Sequence, residues 1–215
     1  MVAPSTLLKV PFMNIIQHFL PLDDYFQEAC EKRLVVLHHT VGASAESSMR
    51  YWDTDPRKVA TAFVIERDGT IYQTFPAKMW AYHIGLGNRD LEMGSIGIEL
   101  ASEGGLTERN GLLYKFGIVG PRTQYTGPVY DHGTEWRGFR YFAAYTEDQV
   151  KAAISLALFL CDEFGIEPHP SIDHTVWDPS AIHDHGITSH AVLRRDKSDL
   201  HPGFPWQRLI EEAQR

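Results

Sequence analysis

Apolar and polar residues follow two different rhythms along this chain, and the switches between them mark its elements. Leu34-Val35-Val36-Leu37 is an unbroken aliphatic run, which predicts a covered strand. It leads into His38-His39-Thr40-Val41-Gly42, where a rigid strand hands over to a turn and function tends to gather. Ser44 to Trp52 then reads as a helix with Ser44 as its cap. Two short apolar runs, Ala60 to Ile65 and Thr70 to Phe75, flank Arg67-Asp68-Gly69 and predict a hairpin. Ser95 to Leu100 is a further strand, and Glu99 inside its apolar run is a carboxylate that needs a reason to be there. Thr146 caps a long helix in which Val150, Ile154, Leu158 and Cys161 recur at helical spacing, and Gly165 closes it. Short helices are expected from Asp23 to Lys32 and from Pro205 to Ala213.

Two stretches lack either rhythm. Residues 1–22 read as an irregular arm. Residues 102–145 form an excursion rich in Gly, Pro, Tyr and Arg, with strand-like pieces such as Leu112 to Phe116. Excursions of that length in a compact domain are often functional. The whole, residues 1–215, is expected to be one α/β domain: a mixed central sheet of five or six strands with helices on both faces.

Composition narrows the function more than the fold. At 43% hydrophobic and 22% charged residues the chain is ordinary for a globular domain, and a net charge of -8 argues against nucleic acid as a partner. The apolar residues from Leu7 to Leu22 are broken by Pro11, Asn14, Gln17, His18 and Pro21, so no secretory apolar region forms. No run approaches a membrane span. A soluble protein made in the cytoplasm is expected, acting there or reaching its target by another route. The 2 cysteines, Cys30 and Cys161, make neither a disulfide framework nor a zinc knuckle. Neither has the setting of an activated thiol, which argues against a cysteine hydrolase.

The unusual number is 11 histidines. Neutral imidazole is a common zinc ligand, and a zinc hydrolase wants three protein donors with one position left open for water. One imidazole at the end of the first strand and two donors from a folded-back late loop could supply that set. Adjacent strand residues point to opposite faces, so only one of His38 and His39 should reach a metal.

The tail Gly186-Ile187-Thr188-Ser189-His190, with Lys197-Ser198-Asp199 and His201-Pro202-Gly203-Phe204-Pro205-Trp206 after it, completes a pattern. Together with the His38 strand, the Phe63-to-Gly69 hairpin approach, Ala81-Tyr82-His83-Ile84-Gly85 and Ser95-to-Leu100, it resembles the zinc-dependent N-acetylmuramoyl-L-alanine amidases. That family also holds phage T7 lysozyme and the peptidoglycan recognition proteins, and the motifs arrive in its order over roughly residues 30 to 210. The resemblance implies a zinc ion at one end of the sheet, held by His38, His190 and Asp199; among the remaining loop histidines, His185 is the substitute should His190 fail. It implies Glu99 as general base, Lys197 beside the oxyanion, and His83 on the rim of the substrate cleft. The substrate would be peptidoglycan or a muropeptide fragment; the alternative is a binding module of the same fold without catalysis. In the excursion, Trp136 offers a flat face to a sugar, and Arg137, Arg140 or Arg122 a partner for stem-peptide carboxylates. One departure stands out: some relatives carry a Tyr near position 61, where this chain has Ala60-Thr61-Ala62-Phe63.

Overall fold

A computed structural model describes residues 13–116 and 123–215. The body of the fold is a central sheet. Its six strands are β1 (Ile15–Gln17), β2 (Leu34–His39), β3 (Phe63–Ile65), β4 (Ile71–Gln73), β5 (Ser95–Leu100) and β10 (Gly186–Ser189), in the order β1-β4-β3-β5-β2-β10. All neighbours are parallel except β3 and β4, the hairpin expected around Arg67-Asp68-Gly69. Gly69 takes φ 85 at that turn, where a side chain would be strained.

Strand β2 is buried along its whole length because it lies between two parallel neighbours with helices above and below. Alternation then sorts its side chains. Val35 and Leu37 join the larger core with Ile96, Ile98 and Leu100, under α3 (Glu147–Phe164). Leu34 and Val36 face the other way, into a smaller core with Ile84, Leu91 and Val192, the last from α4 (His190–Leu193). Thus α3 and α4 cover opposite faces. Thr146 caps α3 by accepting from the Gln149 amide at 3.1 Å, and Gly165 ends it in the left-handed region at φ 65. Ser44 caps α1 (Ala45–Trp52) in the same manner, at 3.2 Å from the Ser47 amide.

Three expectations need correction. Asp23 to Lys32 forms no helix; it is an extended stretch in which Phe26 stacks on Trp80 at 3.9 Å and the Cys30 amide bonds the Lys78 carbonyl at 2.8 Å. Its end is fixed by the buried Lys32 ammonium, which donates to the carbonyls of Met79, Met93 and Ser95 at 2.9, 2.7 and 3.1 Å. These tertiary ties outweigh the local helical preference. The arm is not wholly irregular either, since β1 extends the central sheet; residues 1–12 lie outside the described residues.

The excursion, finally, is a second sheet. Strands β6 (Gly105–Arg109), β7 (Leu112–Lys115), β8 (Val129–Trp136) and β9 (Phe139–Ala143) pair antiparallel in the order β7-β6-β9-β8. It is anchored to the body by Leu106, Phe142 and Ala143, all fully buried. The other helices are α2 (Arg89–Met93) and α5 (Trp206–Ala213), with a 3₁₀ turn at Pro179–His183. None of the described helices is long and apolar enough to cross a membrane.

Candidate metal centre

The end of β2 delivers His38 to one face, and β5 delivers Glu99 beside it, because the two residues are paired across the parallel ladder. The other two donors come from one loop. Ser189 ends β10 and caps α4, so His190 stands at the first turn of that helix; Asp199 returns to it with its carbonyl accepting from the Ala191 amide at 2.6 Å. His38 Nδ1, His190 Nδ1 and Asp199 Oδ2 converge: 3.0 Å between the two imidazoles, 3.1 Å from His38 to the carboxylate and 2.9 Å from His190. All three residues are buried, and they form the one such cluster among the described residues.

The hydrogen bonds behind the donors decide what the cluster wants. His190 Nε2 lies 2.9 Å from the Ile84 carbonyl, which can only accept, so Nε2 carries the proton and Nδ1 is a bare lone pair. His38 Nε2 meets His83 Nδ1 at 3.0 Å, His83 Nε2 meets Ser95 Oγ at 2.8 Å, and Ser95 Oγ donates to the Glu92 carbonyl at 3.1 Å. That chain also ends on a carbonyl, so each link donates toward it and His38 Nδ1 is bare as well. Two lone pairs and a carboxylate oxygen therefore face one point with no donor of their own. A cation satisfies all three, and two imidazoles with a carboxylate suit zinc.

Burial first, then the neighbouring His190, brings His38 down to about 4, so its imidazole is neutral near neutral pH. Burial alone would raise Asp199, but whenever His190 or His38 carries a proton on Nδ1 its charge and hydrogen bond outweigh that and hold the carboxyl well below the ordinary range. Glu99 goes the other way: burial and the charge of Asp199 push it well above the usual carboxylate range, and Lys197 offsets only part of this. Its Oε2 has no hydrogen-bond partner among the described residues. Lys197 is half-buried, and its charge also lowers His38, as the last and smallest of the causes. A cleft of about 280 Å³ opens over Glu99, lined by Thr40, Val41, Gly42, Ser48 and Tyr51 among others.

The remaining expected site residues lie elsewhere. His83 is not on the cleft rim; it stands behind His38, and its ring occupies the space over Gly97, where a Cβ would come within 3.0 Å of His83 Nδ1 and 2.6 Å of Thr61. Trp136 Nε1 donates to the Thr175 carbonyl at 3.2 Å. Arg137 donates to the carbonyls of Ala191 and Arg194, both at 3.0 Å, and of Arg195, so it braces the stretch that carries His190 and Asp199. Arg140 is paired with Asp131, two bonds at 2.8 Å, and Arg122 lies outside the described residues. His185 lines a separate cleft with His169 and Asp184. His39 points to the opposite face from His38, as the strand requires, and meets the Tyr145 hydroxyl at 2.9 Å. Thr61 spends its hydroxyl on the Phe63 carbonyl at 2.9 Å.

Glu92 was not anticipated. Its buried carboxylate accepts from the backbone amides of His83, Ile84 and Gly85 at 2.9, 3.1 and 2.7 Å, and so fixes the turn that supports both His38 and His190. Nothing in its sequence surroundings distinguishes it from a surface Glu on a short helix.

The profile of the N-acetylmuramoyl-L-alanine amidases matches residues 29–203. No curated sequence matches the chain. Among solved structures it is similar to PlyL, at TM-score 0.56 and 14% identity over 94% of this chain and 97% of that one. The catalytic domain of XlyA gives 0.55 and 18%, over 94% and 99%. The N-acetylmuramyl-L-alanine amidase AmiD from E. coli, solved with anhydro-N-acetylmuramic acid-L-Ala-D-gamma-Glu-L-Lys, gives 0.54 and 22%, over 86% of this chain and 59% of AmiD. At these identities the structural likeness is one of fold. The family match extends over most of the chain and takes in every residue of the donor cluster, and by it this protein belongs to the N-acetylmuramoyl-L-alanine amidases.

Proposed function

We propose that the enzyme is zinc-dependent and hydrolyses the amide between the lactyl group of N-acetylmuramic acid and L-alanine, in peptidoglycan or its muropeptide fragments. The observation that carries this is the convergence of two bare imidazole nitrogens and a carboxylate oxygen beside a raised, unpartnered Glu99. His38, His190 and Asp199 would hold the metal. Zinc bound there supplies Lewis acidity, which polarises a scissile carbonyl and makes water acidic enough to attack near neutral pH.

The chain's own groups do the rest. Glu99 is on the same face as His38 and half-buried, and its raised pKa makes its carboxylate a stronger base than an exposed one. It accepts the proton of the attacking water and passes it to the leaving amine of L-alanine. Lys197 holds positive charge toward the carbonyl oxygen as negative charge develops on it. His83, Ser95 and the Ile84 carbonyl keep both ligand imidazoles in the tautomer that presents Nδ1. The cleft over Glu99 receives the substrate, and Arg137 supports it indirectly by bracing the stretch that carries His190 and Asp199.

Mass spectrometry of an N-acetylmuramoyl-tripeptide incubated with the protein tests this. The expected products are the free sugar acid and the intact tripeptide, formed with zinc and abolished by a chelator. Cleavage at any other bond, or an unchanged rate under chelation, overturns the assignment.

A further inference from the structure

Two buried histidines outside the donor set, His174 through its backbone and its ring and His201 through its ring, tie together the two stretches that carry His190 and Asp199. Ser189, immediately before His190, donates its hydroxyl to the His174 carbonyl at 2.6 Å. The His174 ring is buried and reaches the carbonyl of His201, two residues after Asp199, with Nε2 at 3.3 Å. His201 is itself locked. With 0% exposure, it accepts from the Gly203 amide on Nδ1 and donates from Nε2 to the Ala143 carbonyl, both at 3.1 Å. Its ring stacks on Tyr145 (4.2 Å, 10°) and on Phe142 (4.7 Å, 19°), while His174 stacks on Trp206 (4.9 Å, 18°).

Buried imidazoles are costly unless every polar atom has a partner, and phenyl rings would fill these places among Phe142, Phe204 and Trp206 at lower desolvation cost. What the nitrogens add is direction: His174 Nε2 and both nitrogens of His201 each meet a backbone atom of the Asp199 stretch or of the second sheet. Ala143 closes β9, so His201 also couples the end of the former excursion to the Asp199 loop.

We infer that His174 and His201 are positioning residues for the metal: they set the spacing of His190 and Asp199 before the ion arrives and so raise its affinity. This rests on the reading of His38, His190 and Asp199 as ligands. Neither imidazole touches the donor atoms, and outer partners of metal ligands change affinity by about 10- to 100-fold when removed.

The test is zinc affinity, measured with zinc ion alone in competition with a fluorescent chelator, on full-length protein. His174→Phe and His201→Phe keep a stacked ring and remove the hydrogen bonds. Each is expected to weaken zinc binding about 10- to 100-fold, and His201→Gln, which keeps a donor, should recover part of the loss. Leu156→Ala, in the core side of α3, serves as the control: it lowers the thermal midpoint and leaves zinc affinity at the parent value. Should the Phe variants not fold, His174→Leu and His201→Leu, which also remove the ring hydrogen bonds, decide the matter, with a several-fold loss of affinity expected. Phe variants, or failing them the Leu variants, that bind zinc as tightly as the parent reduce the pair to core packing. A parent that binds no zinc defeats the ligand assignment itself, a result distinct from either.

Discussion

At the scale of single residues, the site depends on which atoms are left without partners. Glu99 shares its strand with Ser95 and Gly97, and alternation puts all three on the face of His38. Its anomaly inside an apolar run was visible in the sequence, since a strand carboxylate there has no local means of satisfaction. On the proposed mechanism, Glu99→Gln keeps the shape and the donor cluster and removes the base. Turnover should fall by about 10²- to 10⁴-fold with zinc content unchanged; a variant within threefold of the parent would make Glu99 structural. Lys197→Ala should lower kcat while leaving KM nearly as it was, because its charge is needed only as the oxyanion develops. An effect confined to KM would place Lys197 on the substrate instead. The role of His83 was not legible: its link to His38 spans 45 positions, and no local pattern marks a residue that works through another's ring.

At the scale of elements, legibility followed the strength of local signals. The buried runs of β2 and β5 and the capped, periodic α3 announce themselves, because continuous apolar stretches and caps are local properties. The second sheet did not. Its strands β7 and β8 are largely half-buried or exposed, β8 carries an irregularity between Asp131 and Trp136, and Gly111, Gly133 and Gly138 interrupt the run at positive φ. Those features read as loop, and the sheet is held in place by tertiary contacts such as Phe142 under His201. The α3 cap gives a clean test at this scale. Thr146 accepts from Gln149 and donates to the Arg67 carbonyl, so Thr146→Ala should cost about 1 kcal/mol in a denaturant titration. Activity per folded molecule should stay at the parent level, since the cap lies outside the donor cluster; a matching loss of activity would tie α3 to catalysis.

At the scale of the whole molecule, buried imidazoles make stability depend on pH. His38, His39 and His174 lie at about 4 in the folded protein, each lowered first by burial, against about 6.5 when exposed. A group depressed on folding binds its proton more readily in the unfolded chain, so unfolding takes up protons between these values. The contribution of these three rings is therefore fully present above about pH 6.5 and is lost as pH falls toward about 4. Denaturant titrations of chelator-treated protein should show that decline, and a flat profile from pH 7 to 4.5 would contradict the burial of these rings. The overall architecture was legible because the α/β alternation is strong; the donor set was reached by resemblance, and hydrogen-bond directions now give it a physical reason. The central claim is that two bare Nδ1 atoms and Asp199 Oδ2 hold one zinc ion. Elemental analysis of zinc-loaded, desalted protein measures it directly. The parent should retain about one zinc per chain and folded His190→Ala almost none, because a two-donor remnant binds weakly. A parent without zinc, or His190→Ala at full occupancy, would contradict the account.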